Sequence, residues 1–146
     1  MTLTFENAFN GSFFITNGTF SLTEGPFGPF KPTPNSQELI QTDQNANVNI
    51  KFQVGGLLVP FLAGKWKGEV FLEKMGGDEY TGPALSNTIP YNPANINYSL
   101  DVNIPAGSID EGIYRVVVCL TLESLTGAPG PVAAFGDLGI LKYYEA

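Results

Sequence analysis

The stretch GSIDEGIYRVVVCL, Gly107 to Leu120, decides how the rest of the chain is read. From Tyr114 onward it alternates with period two. Tyr114, Val116, Val118 and Leu120 fall on one side, and the set continues to Leu122. Arg115, Val117, Cys119 and Thr121 fall on the other. Successive side chains of a strand point to opposite faces, so this pattern is a strand with one buried side. Parity then assigns the only cysteine: Cys119 cannot enter the core without flipping the whole strand. It reads as a small, half-covered residue of an outer face. The sharper reading, a reactive or intermolecular thiol, lacks a histidine to activate it and has only Arg115 nearby.

Working outward, two more segments alternate as cleanly. In ANVNIKFQV the residues Ala46, Val48, Ile50, Phe52 and Val54 oppose Asn47, Asn49, Lys51 and Gln53. In NINYSLDVNI the inner set is Ile96, Tyr98, Leu100, Val102 and Ile104, opposed by Asn97, Ser99, Asp101 and Asn103. KWKGEVFLE, with Trp66, Val70 and Leu72 on one face, and the final GPVAAFGDLGILKYY are two further strands. With 17 glycines and 11 prolines, no segment holds a helical period for three turns. The longest candidate, Ser36 to Asp43, has apolar residues only at Leu39 and Ile40. The chain is predicted to be all-β.

The first third is less regular. AFNGSFF and FITNGTF each place Asn-Gly between β-forming residues, which predicts two tight hairpin turns. EGPFGPFKPTPNS follows with four prolines in thirteen residues, a loop or extended connector because proline cannot donate to a ladder. Residues 1–36 are therefore expected to be an N-terminal β extension with a Pro/Gly-rich connector, on the same domain as the sandwich of residues 37–146. A boundary between an arm and a separate sandwich is the alternative.

The spacing of the apolar landmarks resembles that of immunoglobulin-like domains. Trp66 lies fifty residues before Val116, and Phe52 and Val54 lie fourteen and twelve before Trp66. In such sandwiches a buried Trp packs between two facing strands, and a Tyr two residues before the second landmark makes a corner. The resemblance implies a core of Phe52, Val54, Trp66, Tyr114 and Val116. It also implies a Tyr114 hydroxyl bonded back to the backbone near Ile109 or Asp110. FGDLG at Phe135 resembles the Phe-Gly-x-Gly bulge of variable domains, with the second glycine one place late. The match covers about residues 45–144 and is one of fold. The expected architecture is an immunoglobulin-like antiparallel β-sandwich with an N-terminal β-hairpin or arm extension. A single cysteine excludes an internal disulfide.

Composition narrows function. The 146 residues suit one domain. Net charge is −7 and the charged fraction is 14%, so nucleic acid is not an expected partner. No run approaches the length of a membrane span. With no basic-then-apolar start, the expected setting is the cytoplasm, or a particle exported without a cleaved signal. The sequons at Asn10, Asn17 and Asn97 read as chance in an Asn-rich chain.

No histidine occurs, which removes His-based triads and most transition-metal sites. No Gly-rich phosphate loop precedes a helix. The carboxylate pairs Asp78-Glu79 and Asp110-Glu111 are adjacent and point apart on a strand, so neither is an acid/base dyad. No enzyme activity and no cofactor are expected. DQNAN at Asp43 opens like a calcium loop but has Val48 and Val54 where Gly and Glu are needed. Asp78, Glu79, Asp110 and Asp137 are the weak candidates for a Ca2+ site.

Two features point to partners. Leu57, Leu58, Val59, Phe61 and Leu62 form a dense apolar set in a connecting segment. Either it folds inward or forms a strand, or it docks on another protein. The outward positions Asn47, Asn49, Gln53, Asn95, Asn97, Ser99 and Asn103 are neutral, where many soluble sheets place charges, and neutral faces tolerate protein contact without stranding a charge. Phenylalanine is concentrated at Phe5, Phe9, Phe13, Phe14, Phe20, Phe27 and Phe30. The expected function is a non-enzymatic structural or protein-binding module, part of a larger assembly or homo-oligomer. The alternative is a carbohydrate-binding module using Trp66, Tyr80, Tyr91, Tyr143 or Tyr144 beside asparagines.

Overall fold

The alternation of the sequence reappears as alternating burial, strand by strand. The computed structural model describes residues 4–5, 13–25, 38–43, 45–77, 80, 82 and 84–145. Among them are nine strands and no α-helix: β1 (Thr4–Phe5), β2 (Phe14–Gly25), β3 (Glu38–Gln41), β4 (Asn45–Gly55), β5 (Lys65–Lys74), β6 (Leu85–Pro90), β7 (Asn97–Ile104), β8 (Gly112–Glu123) and β9 (Pro129–Tyr144). One sheet has the order β1-β9-β8-β5-β6, with β3 also on β9; the other is β2-β4-β7. All pairings are antiparallel except β3 with β9, which is parallel. The protein is all-β, in two sheets, with no disulfide.

The inner sets of β4, β7 and β8 are buried along their whole length, whereas Ile96 lies before β7 and is half exposed. Trp66 is fully buried at the centre of an aromatic cluster. Its ring lies 4.9 Å from Phe52 edge-on, 5.9 Å from Tyr98, 6.1 Å from Tyr91 and 6.2 Å from Phe13. The Tyr114 hydroxyl donates to the Asp110 carbonyl at 2.9 Å, tying the entry of β8 to the turn before it. Tyr114→Phe is expected to cost about 1 kcal/mol, the net value of one such bond. Urea denaturation should show a lower midpoint at unchanged slope; an unchanged midpoint would mean the corner bond contributes nothing.

Two bulges let irregular segments keep their apolar residues inside. On β2, Thr16 pairs Gln53 but Thr19 pairs Lys51, so one extra residue sits at Asn17–Gly18. Phe13 is buried before the bulge, and Phe20 and Leu22 after it, an odd-to-even change of parity. The Asn17–Gly18 hairpin expected from the sequence is therefore not formed. β4 supplies ladder partners on both sides of the dipeptide, and a continuous strand with one bulge satisfies more backbone than a turn. The Asn10–Gly11 turn and residues 26–37 of the connector lie outside the described residues.

On β9, Val117 pairs Asp137 and Val116 pairs Gly139, leaving Leu138 as the extra residue. Gly139 has φ +92°, and its N–H donates to Asp137 Oδ1 at 2.8 Å. A positive φ is open to glycine at little steric cost. Inward positions pass from Val132 and Ala134 to Leu141 and Tyr143 across it.

Other elements were not evident beforehand. The weak helical candidate around Ser36–Asp43 is β3, drawn into the sheet by β9, with Ile40 buried beside Tyr143. β6 has few apolar residues, and its Asn87 Nδ2 donates to the Asp101 carbonyl at 2.8 Å, joining the two sheets along one side.

Candidate functional site

Three connections meet at one end of the molecule: residues 56–64, 91–96 and 124–128. Lys65 pairs with both Glu123 and Pro90, Val54 N donates to the Ile96 carbonyl at 2.9 Å, and Tyr91 N donates to the Gly64 carbonyl at 2.9 Å. The Tyr91 hydroxyl donates to the Val59 carbonyl at 2.7 Å, and burial pushes this phenol up to about 12, with Tyr98 adding to it. The apolar set of residues 57–62 divides. Val59 is buried at the start of a short 3-10 turn, Val59–Phe61, and Leu58 and Leu62 pack partly against the core. Leu57 is 83% exposed and Phe61 78%. Leu125, from the β8–β9 turn, is 77% exposed, and Ile96, whose carbonyl accepts from Val54 N, is half exposed. Residues 56–64, 91–96 and 124–128 contain no charged side chain.

The opposite end is acidic. Asp43, Asp110, Glu111 and Glu145 line a concavity of about 240 Å³ with Thr42, Gly107 and Ile109. No three acidic or other metal-ligating groups among the described residues are arranged to hold a metal ion. Asp110 and Asp137 are not brought together. Asp137 lies within β9, where Arg115 Nη2 donates to it at 2.7 Å and holds its carboxyl below the usual range. Asp78 and Glu79 lie outside the described residues. The DQNAN asparagines are used structurally, with Asn45 Oδ1 accepting from Ala106 N at 2.8 Å and Asn47 donating to Asp101.

Between the two ends, the outer face of the larger sheet combines apolar groups with balanced charge. Register places Cys119 between Glu69 and Phe135, and Val117 between Phe71 and Asp137. Phe71 is half exposed, and Phe135, Ile113 and Ile140 are open to solvent on the same face. Lys65, Lys67, Arg115 and Lys142 there are matched by Glu69, Glu73, Glu123 and Asp137, so the face is neutral. Lys67 bridges Glu69 at 3.3 Å and Glu123 at 3.5 Å, which raises its pKa, chiefly through the bond to Glu69. Burial, helped by Glu69, raises the pKa of Cys119, so its thiolate form is suppressed.

The outer face of the smaller sheet is a network of amides. Asn47 and Asn49 both donate to Asp101 Oδ1, at 2.9 and 2.8 Å, and Gln53 donates to Asn97 Oδ1 at 2.6 Å. The bonds from Asn47 and Asn49 hold the Asp101 carboxyl below its usual range. Lys51 and Asp101 balance each other, so the formal charge of −7 belongs to other positions.

The aromatic residues considered for sugar stacking are mostly unavailable. Trp66, Tyr91 and Tyr143 are buried, and only Tyr80 and Tyr144 are partly open. The groove across the amide face, about 480 Å³, is lined by Thr19, Lys51, Gln53, Asn97 and Ser99, while Phe52 and Tyr98 point their rings inward. The sequence pointed to the exposed Leu57 and Phe61 but missed Phe71, Phe135 and Leu125. The outward parity of Phe71 and Phe135 was legible; their placement on one face, either side of β8, required the strand order. No family model matches this chain, and no curated protein is significantly similar to it.

Proposed function

We propose that the protein is a non-enzymatic structural or protein-binding module with an immunoglobulin-like sandwich fold, acting as a subunit of an assembly of its own copies. The fold reading is supported by the Tyr114 corner bond, by Trp66 packed against Phe52, and by the bulge at Leu138. An apolar core replaces the disulfide at the two landmark positions, Val54 and Val116.

The observation that carries the functional reading is the neutral, partly apolar outer face of the β5-β8-β9 surface on a chain of net charge −7. Acidic copies repel through most approaches, and like charges brought together cost several kcal/mol. At this face four cations answer four anions, and Phe71 and Phe135 supply apolar area among the balanced charges.

Sedimentation velocity over a wide concentration range tests this. The wild type should associate with increasing concentration. Phe71→Glu combined with Phe135→Glu should weaken association by about tenfold or more. Both side chains are exposed, so the variant should keep its circular dichroism. A wild type that stays monomeric throughout, or a variant that associates equally well, contradicts the reading.

A further inference from the structure

We propose that Asn87 is a latch: its side-chain amide takes the place of a peptide unit between β6 and β7 and keeps that seam closed to a strand from a second copy. The proposal concerns a different part of the molecule from the sheet face above and does not depend on it.

β6 and β7 are end strands of different sheets, and they lie side by side with no ladder between them among the described residues. An end strand presents backbone N–H and C=O groups on its open side, which form a template for another strand. Natural edges are guarded by charge, proline or a bulge. β6, Leu85–Pro90, has no charged residue and no shift of register, and its proline is its last residue. Ser86, Asn87 and Thr88 are exposed along it.

Asn87 is the polar member of an inward row. Register sets Leu85 opposite Val70, Asn87 opposite Gly68 and Ile89 opposite Trp66, and directly opposed residues share a face. Leu85, Val70 and Trp66 are buried, so Asn87 stands in the row that supplies the core, yet on the open seam. Gly68 across from it has no side chain, and a β-carbon there would overlap Leu100 and Ile50 of the other sheet. The sheets close in at this rung, and Asn87 spans the gap that is left. Its Oδ1 accepts from Thr88 N at 2.9 Å, and its Nδ2 donates to the Asp101 carbonyl at 2.8 Å. One acceptor and one donor on a planar amide are what a peptide unit of an added strand would offer. Asp101 is held in turn, its carboxyl accepting from Asn47 and Asn49 on β4. Two edge groups that an incoming strand would use, the Thr88 N–H and the Asp101 carbonyl, are thus both taken.

Asn87→Leu is the test, since leucine has nearly the same shape, suits an inward position and makes neither bond. Hydrogen exchange at the Thr88 amide should become about tenfold faster than in the parent chain. In sedimentation, Asn87→Leu should associate about tenfold more tightly than the same chain with Asn87. Both are compared in the Phe71→Glu, Phe135→Glu background, so the result is readable whatever the fate of the sheet-face interface. Adding Thr88→Lys, a charge on the opened edge, should reverse the gain. Asn87→Ala, which cannot overpack the seam, is expected to behave alike and decides the matter if the leucine variant fails to fold. A folded variant whose Thr88 amide exchanges as slowly as before, or whose association is unchanged, overturns the proposal. So does added association that Thr88→Lys leaves intact, because it does not then run through the edge of β6.

Discussion

Trp66→Ala is expected to remove about 3–5 kcal/mol of stability, the range for deleting a buried aromatic side chain. Against the roughly 5–15 kcal/mol of an ordinary domain, that leaves a marginal or unfolded protein. Trp66 has no solvent exposure, and Phe13, Phe52, Tyr91 and Tyr98 all have rings within 6.2 Å of its own. These residues come from or beside both sheets, so the cavity would open where the sheets are held together. Its Nε1 finds no hydrogen-bond acceptor among the described residues. Trp66→Phe therefore loses ring volume and no hydrogen bond, and should cost less than half as much as alanine. Urea denaturation followed by circular dichroism is the appropriate measurement, since both changes delete the only tryptophan. A phenylalanine variant as damaged as the alanine one would show that the indole N–H is bonded after all.

Gly136→Val should be nearly as damaging, at about 3 kcal/mol, the upper end for overpacking a core. Gly136 faces inward on β9, directly against the ring of Phe20 from β2. Any β-carbon there would overlap that ring, which is itself buried. Its role is close approach of the two sheets, not an unusual backbone angle. Phe20 lies in the segment whose parity is corrected by the bulge at Asn17–Gly18, so the bulge and Gly136 serve the same contact. Trimming the ring should relieve the clash: Phe20→Ala and Gly136→Val together should cost clearly less than the sum of the two alone. Additive costs in thermal or urea denaturation would place the damage elsewhere.

The bulges also show how far local reading reaches. Asn-Gly is a strong hairpin signal because it accepts the positive φ that tight turns need. Yet Phe13 before it and Phe20 and Leu22 after it fall on opposite parities, and a single strand can bury all three only by taking in one extra residue. The same change of parity surrounds Leu138 in FGDLG. The cue was present in both places, but its meaning depended on a partner strand continuing past the break. For β2 that partner is β4, more than thirty residues away. β3 and β6 were hidden for the related reason that short edge strands owe their form to a neighbour rather than to their own composition.

The candidate surfaces divide in the same way. Leu57 and Phe61 stood out as apolar residues in a connection, and the sequence left open whether they turned inward. The structure sends Val59 inward and these two outward, because the buried Tyr91 hydroxyl captures the Val59 carbonyl and fixes the rotation of the turn. Leu125 and Ile96 come to the same end of the molecule only through strand order.

By itself the sequence determined which side chains of β4, β7 and β8 face the core, and that Cys119 does not. A strand's two faces follow from a period of two, which is local. Only the tertiary structure decided which strands are neighbours. That order sets side by side the residues of the neutral sheet face, gathers three distant turns into one uncharged pole, and carries the acidic groups to the other end. It is decided by packing two sheets face to face, a contact between residues far apart in the chain that no short window of sequence contains.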